Sequence, residues 1–526
     1  MKPFEPSGSE AEYWRAQAER LGAENEELRG QVAALAEKVA TLSRLLFGKS
    51  SEKSSPPAPE ATDGADGGGP ARRKRGQQRG GPGHGRRDYS HLPTTEEIWD
   101  LPEDERVCGR CGTPYTPLGE DVCEQIDWQV RVCRVIHRRP TYRRGCRCMV
   151  PGVLSARPVG KPIPKGRFTV GFLARLLVNK YVLGQPLHRI SAALGLDGLD
   201  VADGTLVGVL KALSGLLAPL ETAIRAHNAA SGHLHADETS WQVFETVDGK
   251  ANHRWWLWVF VGPDSTVFRI APSRATKVLA DHLGVDAADL AAGMLPDGRQ
   301  LLLSSDFYTV YQAFGALDGV QPLWCWAHIR RYFIRAGDAH PALAGWAAAW
   351  TERIGRLYVA HAAMRAAAQG SPERARAQAA FADAFAAIDA ARQAQASDPA
   401  TPAAAAKVLA TLDREWQGLA RHEQYPDAPL DNNTAERALR NPVVGRKNYY
   451  GSGAVWAAEL AGRAWTVTAT AEKAGLNPLS YLTDYLHACA NAGGRAPEGA
   501  ALDAFLPWTK APAEHGASVA GPQPDP

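Results

Sequence analysis

The chain has 526 residues, with 59 Lys and Arg against 57 Asp and Glu for a net charge of +2, and is 45% hydrophobic and 22% charged. This globular balance excludes wholesale disorder, a collagen-like chain and a small disulfide-stapled scaffold, and the length predicts several domains. No uninterrupted apolar run reaches the roughly 18 residues of a membrane helix, and Glu5, Glu10, Glu12 and Arg15 stand where a secretory leader would be apolar, so a soluble cytoplasmic protein is expected.

In chain order, the first signal is a heptad. Trp14, Leu21, Leu28, Leu35 and Leu42 form one column and Ala18, Asn25, Val32, Val39 and Leu46 the other, which predicts a leucine-zipper coiled coil over 1–53 and a homodimer or higher homo-oligomer. An amphipathic helix packed on its own protein is the alternative. Residues 54–100 are rich in Pro, Gly and Ala, lack an apolar period, and carry Arg72, Arg73, Lys74, Arg75, Arg86 and Arg87, so they predict a flexible basic linker or arm.

Over 101–150, Cys108 and Cys111 are spaced C-x-x-C, and Cys146 and Cys148 follow as C-x-C. Between them, residues from Ile126 to Val132 and from Val135 to Tyr142 alternate in polarity as a half-exposed strand pair does. Two thiol pairs joined by strands predict a zinc-ribbon-like module with a structural Zn2+, buried reduced thiols being the alternative. The next segment, 151–230, has helical spacing: Phe172, Leu173, Leu176 and Leu177, then Leu187, Ile190 and Leu194, then Leu206, Val209, Leu210 and Leu213. A helix-turn-helix-like DNA-binding segment and a plain bundle both fit. From Trp128 to Leu196 there is no Asp or Glu, while Arg143 and Arg144 are among many bases, which points to a polyanion such as double-stranded DNA as the partner, a solvated charged face being the alternative.

Beyond residue 230 the period changes to that of strands. Gly232 to Phe244, Arg254 to Gly262 and Thr266 to Ala271 read as three hairpin-linked strands, Ala275 to Leu283 as a helix, and Gln300 to Ser305 as a strand that can pair in parallel with the first. That order predicts an α/β ribonuclease-H-like core over 231–470. An Ala-rich helical stretch is expected over about 341–421, and a C-terminal helical segment and tail over 471–526. Asp237 in the first strand and Asp306 after the fourth can meet at one sheet edge. Asp431-Asn432-Asn433-Thr434-Ala435-Glu436 reads as a helix start with Asn432 or Asn433 as its N-cap and Glu436 as a third carboxylate. Three carboxylates holding two Mg2+ or Mn2+ ions suit phosphodiester displacement. Cys325 and His328 read as part of a core helix rather than a metal site, with His328 near the reaction centre. Arg446 and Lys447, followed by Tyr449 and Tyr450, read as a DNA-gripping turn, a plain turn between helices being the alternative.

The motifs taken together resemble a known family. Leu46-Phe47-Gly48-Lys49-Ser50-Ser51-Glu52-Lys53, His235-Ala236-Asp237-Glu238-Thr239, Ser305-Asp306-Phe307-Tyr308, Cys325-Trp326-Ala327-His328-Ile329-Arg330-Arg331 and Asp431 to Arg437 are similar, in order, to the large DDE transposase (TnpC) of the IS66 insertion-sequence family. Cys146-Arg147-Cys148 departs from the C-x-x-C expected there. The resemblance implies a bacterial, nucleoid-associated enzyme that binds element ends and performs metal-dependent cleavage and strand transfer. It also implies that the helical stretch over about 341–421 is an all-helical insertion in the catalytic fold. Asp237, Asp306 and Glu436 are implied as the triad, with His328, Arg331 and Arg440 nearby, as is assistance from element-encoded accessory proteins. The alternatives are a non-catalytic zipper and zinc-ribbon regulator, a decayed transposase, or a structure-selective nuclease.

Overall fold

A computed structural model describes residues 94–509, apart from 97, 99, 117–122, 124, 127–131, 150, 152 and 251, together with the single position 17. The chain divides into units 1–89 and 90–526, and the elements below belong to the second. The expected coiled coil and most of the basic arm, with Arg72, Arg73, Lys74, Arg75, Arg86 and Arg87, lie outside the described residues.

The architecture is mixed α/β with a helical majority. Before the first helix the regular structure is sparse. Val107 bridges Pro114, and Cys108 closes a tight turn by donating its amide to Thr113 at 2.8 Å and accepting from Gly112 at 2.8 Å. Strand β1 (Thr141–Arg143) pairs antiparallel with β2 (Val153–Ser155), Tyr142 opposite Leu154, and both strands are exposed throughout. The strand expected over 135–142 is therefore realised only at its end. Pro140 supplies no amide to a ladder, and Arg139 reaches over the Ala156 carbonyl and Ser155 hydroxyl instead.

Helix α1 (Val170–Leu177) starts where the Thr169 side chain accepts from the Phe172 amide and runs into a π-helical turn at Val178–Val182. It is followed by α2 (Leu187–Leu196) and α3 (Asp203–Ala229). Among the described residues α3 is the helix long and apolar enough to cross a membrane. Its Leu206, Leu210, Leu213, Leu217, Leu220 and Ile224 are buried in the same core as the sheet.

Strands β3 (His233–Gln242), β4 (Arg254–Val261) and β5 (Thr266–Ala271) form an antiparallel meander. Helix α4 (Thr276–Leu283) crosses over to β6 (Leu301–Ser305), which pairs in parallel with β3. Helix α5 (Thr309–Gly315) leads to β7 (Val320–Trp324), parallel to β6. The sheet order β5-β4-β3-β6-β7 puts β3 at the centre. Trp255, Leu257, Val259 and Val261 alternate with Trp256, Trp258 and Phe260 along β4, and most of them are buried, because helices cover both faces.

After β7 the chain passes through α6 (Trp326–Ala339), α7 (Ala344–Ala366), α8 (Pro372–Ala396) and α9 (Ala403–Arg414), then returns with α10 (Asn433–Tyr449), α11 (Val455–Lys473) and α12 (Pro478–Asn491). Trp324 ends β7 rather than lying in α6, whose buried face is Trp326, Ile329, Phe333 and Ala336. Helix α10 packs on β3 and β4, and α11 lies along β5 and α3.

Candidate active site

The parallel ladder between β3 and β6 sets His233, Leu234 and His235 opposite Leu302, Leu303 and Ser304. Carrying that register on by two residues brings Asp237 level with Asp306, on strands about 4.8 Å apart. Asp306 lies just past β6, where its Oδ1 accepts from the Tyr308 amide at 3.0 Å, the local bond by which Asp side chains shape turns. Glu436 is in the first turn of α10, half-buried. Burial raises the Asp237 carboxyl to about 8, and the charges of Glu238, Asp306 and Glu436 push the same way, opposed by the Glu238 amide that donates to Asp237 Oδ1 at 2.8 Å. Three carboxylates from distant parts of the chain thus meet electrostatically just beyond the end of the β3–β6 ladder.

Glu238 points to the opposite face of β3. Its Oε1 accepts from Arg274 Nε at 2.7 Å, and its Oε2 accepts from the Tyr311 hydroxyl. The Arg274 guanidinium lies 3.5 Å from the Tyr308 ring centre and 4.6 Å from that of Trp256. Sequence reasoning missed this cluster, since its members are 36 and 73 residues from Glu238 and follow no shared period. Its effect is to compensate Glu238 with a cation, while among the described residues no Lys, Arg or His forms an ion pair with Asp237.

On α6, His328 places Nε2 3.9 Å from Glu436 Oε1, and its Nδ1 is buried without a partner. Burial lowers the His328 pKa, with Arg331 and Arg335 acting the same way and Asp306 and Glu436 against them. Arg331 is half-buried, and Arg440 is exposed on α10 one turn past Glu436. Cys325 is buried at the N-cap of α6, its thiol raised by burial to about 12.

Among the described residues, no group of three or more His, Cys, Asp or Glu stands ready to hold a metal ion. The three carboxylates are neighbours in charge, not a closed ligand cage. Their chemistry nonetheless fits a hard, oxygen-liganded cation, because the most buried member has no positive partner. The four cysteines of the expected ribbon are all free thiols, and they are gathered as two pairs rather than as one set of four. Hydrogen bonds from Thr113 lower the Cys111 thiol, with Cys108 contributing, and the Cys148 backbone and thiol lower that of Cys146.

The described basic residues divide into two kinds. Arg143 and Lys447 are exposed, whereas Arg144 donates to the Cys148 carbonyl and Arg446 to the Ser240 carbonyl, so Arg446 braces α10 against β3 instead of facing solvent. Beside it, Ser240, Trp241, Gln242, Arg446, Lys447 and Tyr450 line a groove of about 410 Å³. Tyr450 is 73% exposed and holds a left-handed backbone at φ 63°, an uncommon conformation for an aromatic residue.

A family model described as "Transposase IS66 family" matches residues 165–460, a span that contains Asp237, Asp306 and Glu436. The chain is also similar to three proteins of Sinorhizobium fredii (strain NBRC 101917 / NGR234). Uncharacterized protein y4qI is 28% identical over 441 residues, covering 80% of this chain and 77% of its own length. For y4hP the identity is 25% over 404 residues, covering 73% and 70%, and for y4jD it is 24% over 433 residues, covering 80% of each.

Proposed function

Because the chain belongs to the IS66 transposase family, we propose that it is a DDE transposase which binds the ends of its element and cleaves and joins DNA at a site built from Asp237, Asp306 and Glu436. The observation that carries this reading is the β3–β6 register, whose continuation sets Asp237 level with Asp306, while burial and the charges of Glu238, Asp306 and Glu436 all oppose ionisation of Asp237. A strand order with three antiparallel strands followed by two parallel ones, β3 at the centre, supports a ribonuclease-H-like core for 231–470.

In this reading the three carboxylates would hold two divalent ions, Mg2+ or Mn2+. Such ions, when bound, lower the pKa of an attacking water or 3′-hydroxyl and stabilise the leaving oxygen. The protein's own groups do the positioning. β3 and β6 hold Asp237 and Asp306 at one level, and α10 brings Glu436 to them. His328, kept neutral by burial, lies against Glu436 without the positive charge that would compete with a metal for it. Arg143, Lys447 and the linker arginines would neutralise phosphates, and the Tyr450 ring offers a face on which an unpaired base can stack. Zn2+ would join the Cys108 and Cys111 pair to the Cys146 and Cys148 pair; elemental analysis finding no zinc in the purified protein removes that part alone.

The test uses labelled end DNA taken from the sequence flanking the reading frame, incubated with the full chain and Mn2+. Wild-type protein is expected to nick and join the end, while Asp237→Asn and Glu436→Gln bind it equally well and do neither. Full activity in either variant refutes the site. A wild-type protein that shifts the DNA without nicking it is a regulator, and one that hydrolyses without joining is a nuclease.

A further inference from the structure

Asn432 occupies the N-cap of α10, where an Asn side chain ordinarily folds back on its own helix, yet it makes no such bond. Its side chain leaves the helix for the sheet. Nδ2 donates to the Ala236 carbonyl at 2.7 Å, one residue before Asp237 and just beyond the last β3–β6 pair. Oδ1 lies 3.2 Å from His235 Nδ1, which must donate because the amide oxygen can only accept. The Asn432 backbone amide donates to Cys325 Sγ at 3.2 Å, and the Cys325 amide donates to the Ser305 carbonyl at 3.1 Å, one residue before Asp306. A fifth bond, from the Trp326 amide to the Leu430 carbonyl at 2.9 Å, closes the loop before α10 onto α6. Asn432 and Cys325 are each 2% exposed.

The segments carrying the three carboxylates therefore meet at two buried residues, through both their side chains and their backbone amides. We propose that Asn432, with Cys325 as its partner, is a positioning residue that fixes the spacing of Asp237, Asp306 and Glu436. This rests on those three being the metal-binding set. An amide is the side chain the place requires, because it offers a donor to Ala236 and an acceptor to His235 together. A carboxylate lacks the donor and an alanine lacks both.

The experiment compares full-length Asn432→Ala, Asn432→Asp and Gln395→Ala with wild type. Gln395 accepts from the indoles of half-buried Trp346 and buried Trp350 in the α7–α8 pair, so its loss is expected to destabilise the protein without touching the carboxylates. Mn2+ binding is measured directly by calorimetry, alongside end-DNA binding, end cleavage and melting temperature. Both Asn432 variants are expected to bind Mn2+ and cleave about 10- to 100-fold less well, with end-DNA affinity retained. Gln395→Ala is expected to melt lower and keep wild-type Mn2+ binding. Wild-type Mn2+ binding and cleavage in Asn432→Asp overturn the proposal, whatever Asn432→Ala does. Equal losses of Mn2+ binding in Gln395→Ala at matched melting temperature overturn it too, since the role is then one of general stability. Failure of the underlying reading looks different: Asp237→Asn and Glu436→Gln themselves would keep cleavage.

Discussion

Asp237 is held where a carboxylate is disfavoured, and that has a definite sign. Its folded pKa, about 8, lies above the ordinary 3.8, so between those values the native state keeps a proton that the unfolded chain has released. Stability from this group is therefore lost as pH rises across that window, and the full penalty stands above pH 8. Metal-free Asp237→Asn protein should accordingly be more stable than wild type, by a margin that widens from pH 5 to pH 8; melting curves of both across that range, with a chelator present, check it. A parallel margin, independent of pH, would mean that Asp237 is ionised throughout. The same proton must leave when a cation binds, so Mg2+ affinity should rise about tenfold per pH unit up to pH 8 and then level off. Calorimetry in buffers of different ionisation enthalpy reads the released proton. That Asp237 and Asp306 can come level was legible in the sequence because the strand order pairs β6 in parallel with β3, setting the middle of one beside the end of the other. Asn432 was legible only as an N-cap, since that rule uses neighbours in sequence, while its partners Ala236 and Cys325 are 196 and 107 residues away.

Between single residues and the whole lies the fit of α11 to the sheet edge. An edge strand presents unpaired amides and carbonyls, and here β5 has them taken by a helix. Thr470 Oγ1 accepts from the Thr266 amide at 3.1 Å and donates to the Thr266 carbonyl at 3.1 Å, and Thr466 Oγ1 accepts from the Phe268 amide at 2.9 Å. The match is one of periods: four helical residues rise about 6 Å and two strand residues about 6.6 Å. One turn earlier, Gly462 lets the helix approach, for a Cβ there would stand 2.9 Å from the Phe268 carbonyl oxygen. Thr470→Val keeps the shape but leaves the Thr266 groups buried and unpaired, so it should cost about 1 to 3 kcal/mol, read by urea unfolding. A loss near zero would mean that water replaces the hydroxyl. The meander β3–β4–β5, α4 and β6 could be read from local period to within about two residues. The threonine ladder could not, because Gly462, Thr466 and Thr470 share a face with buried alanines and look like any other helix stripe. The strand expected over 135–142 was over-read for the converse reason: alternation continues through Val135, Ile136 and Tyr142, which are all exposed, whereas most of the strand expected from Ile126 to Val132 lies outside the described residues.

At the scale of the whole molecule, the division at residues 89 and 90 separates what the described fold does from what the N-terminal heptads are expected to add. The sheet, the carboxylates and the helices around them share one core within 90–526, so metal binding should need nothing upstream. Joining two element ends is different, because two catalytic units must be held together while each grips its own DNA. The Leu21, Leu28, Leu35 and Leu42 column with Asn25 opposite it predicts two chains in register. Holding two catalytic units on one dimer would make the second binding step intramolecular. A protein beginning at residue 90 should therefore sediment as a monomer, melt as the second unit of the full chain does, and bind Mn2+ equally well. It should nick a single labelled end yet form paired-end complexes at least about 100-fold less efficiently than the full-length chain. Sedimentation and gel analysis of two ends carrying different labels measure both. If the shortened protein still dimerises and pairs ends at the full-length rate, the pairing surface lies on the catalytic unit, and the heptads serve some other contact.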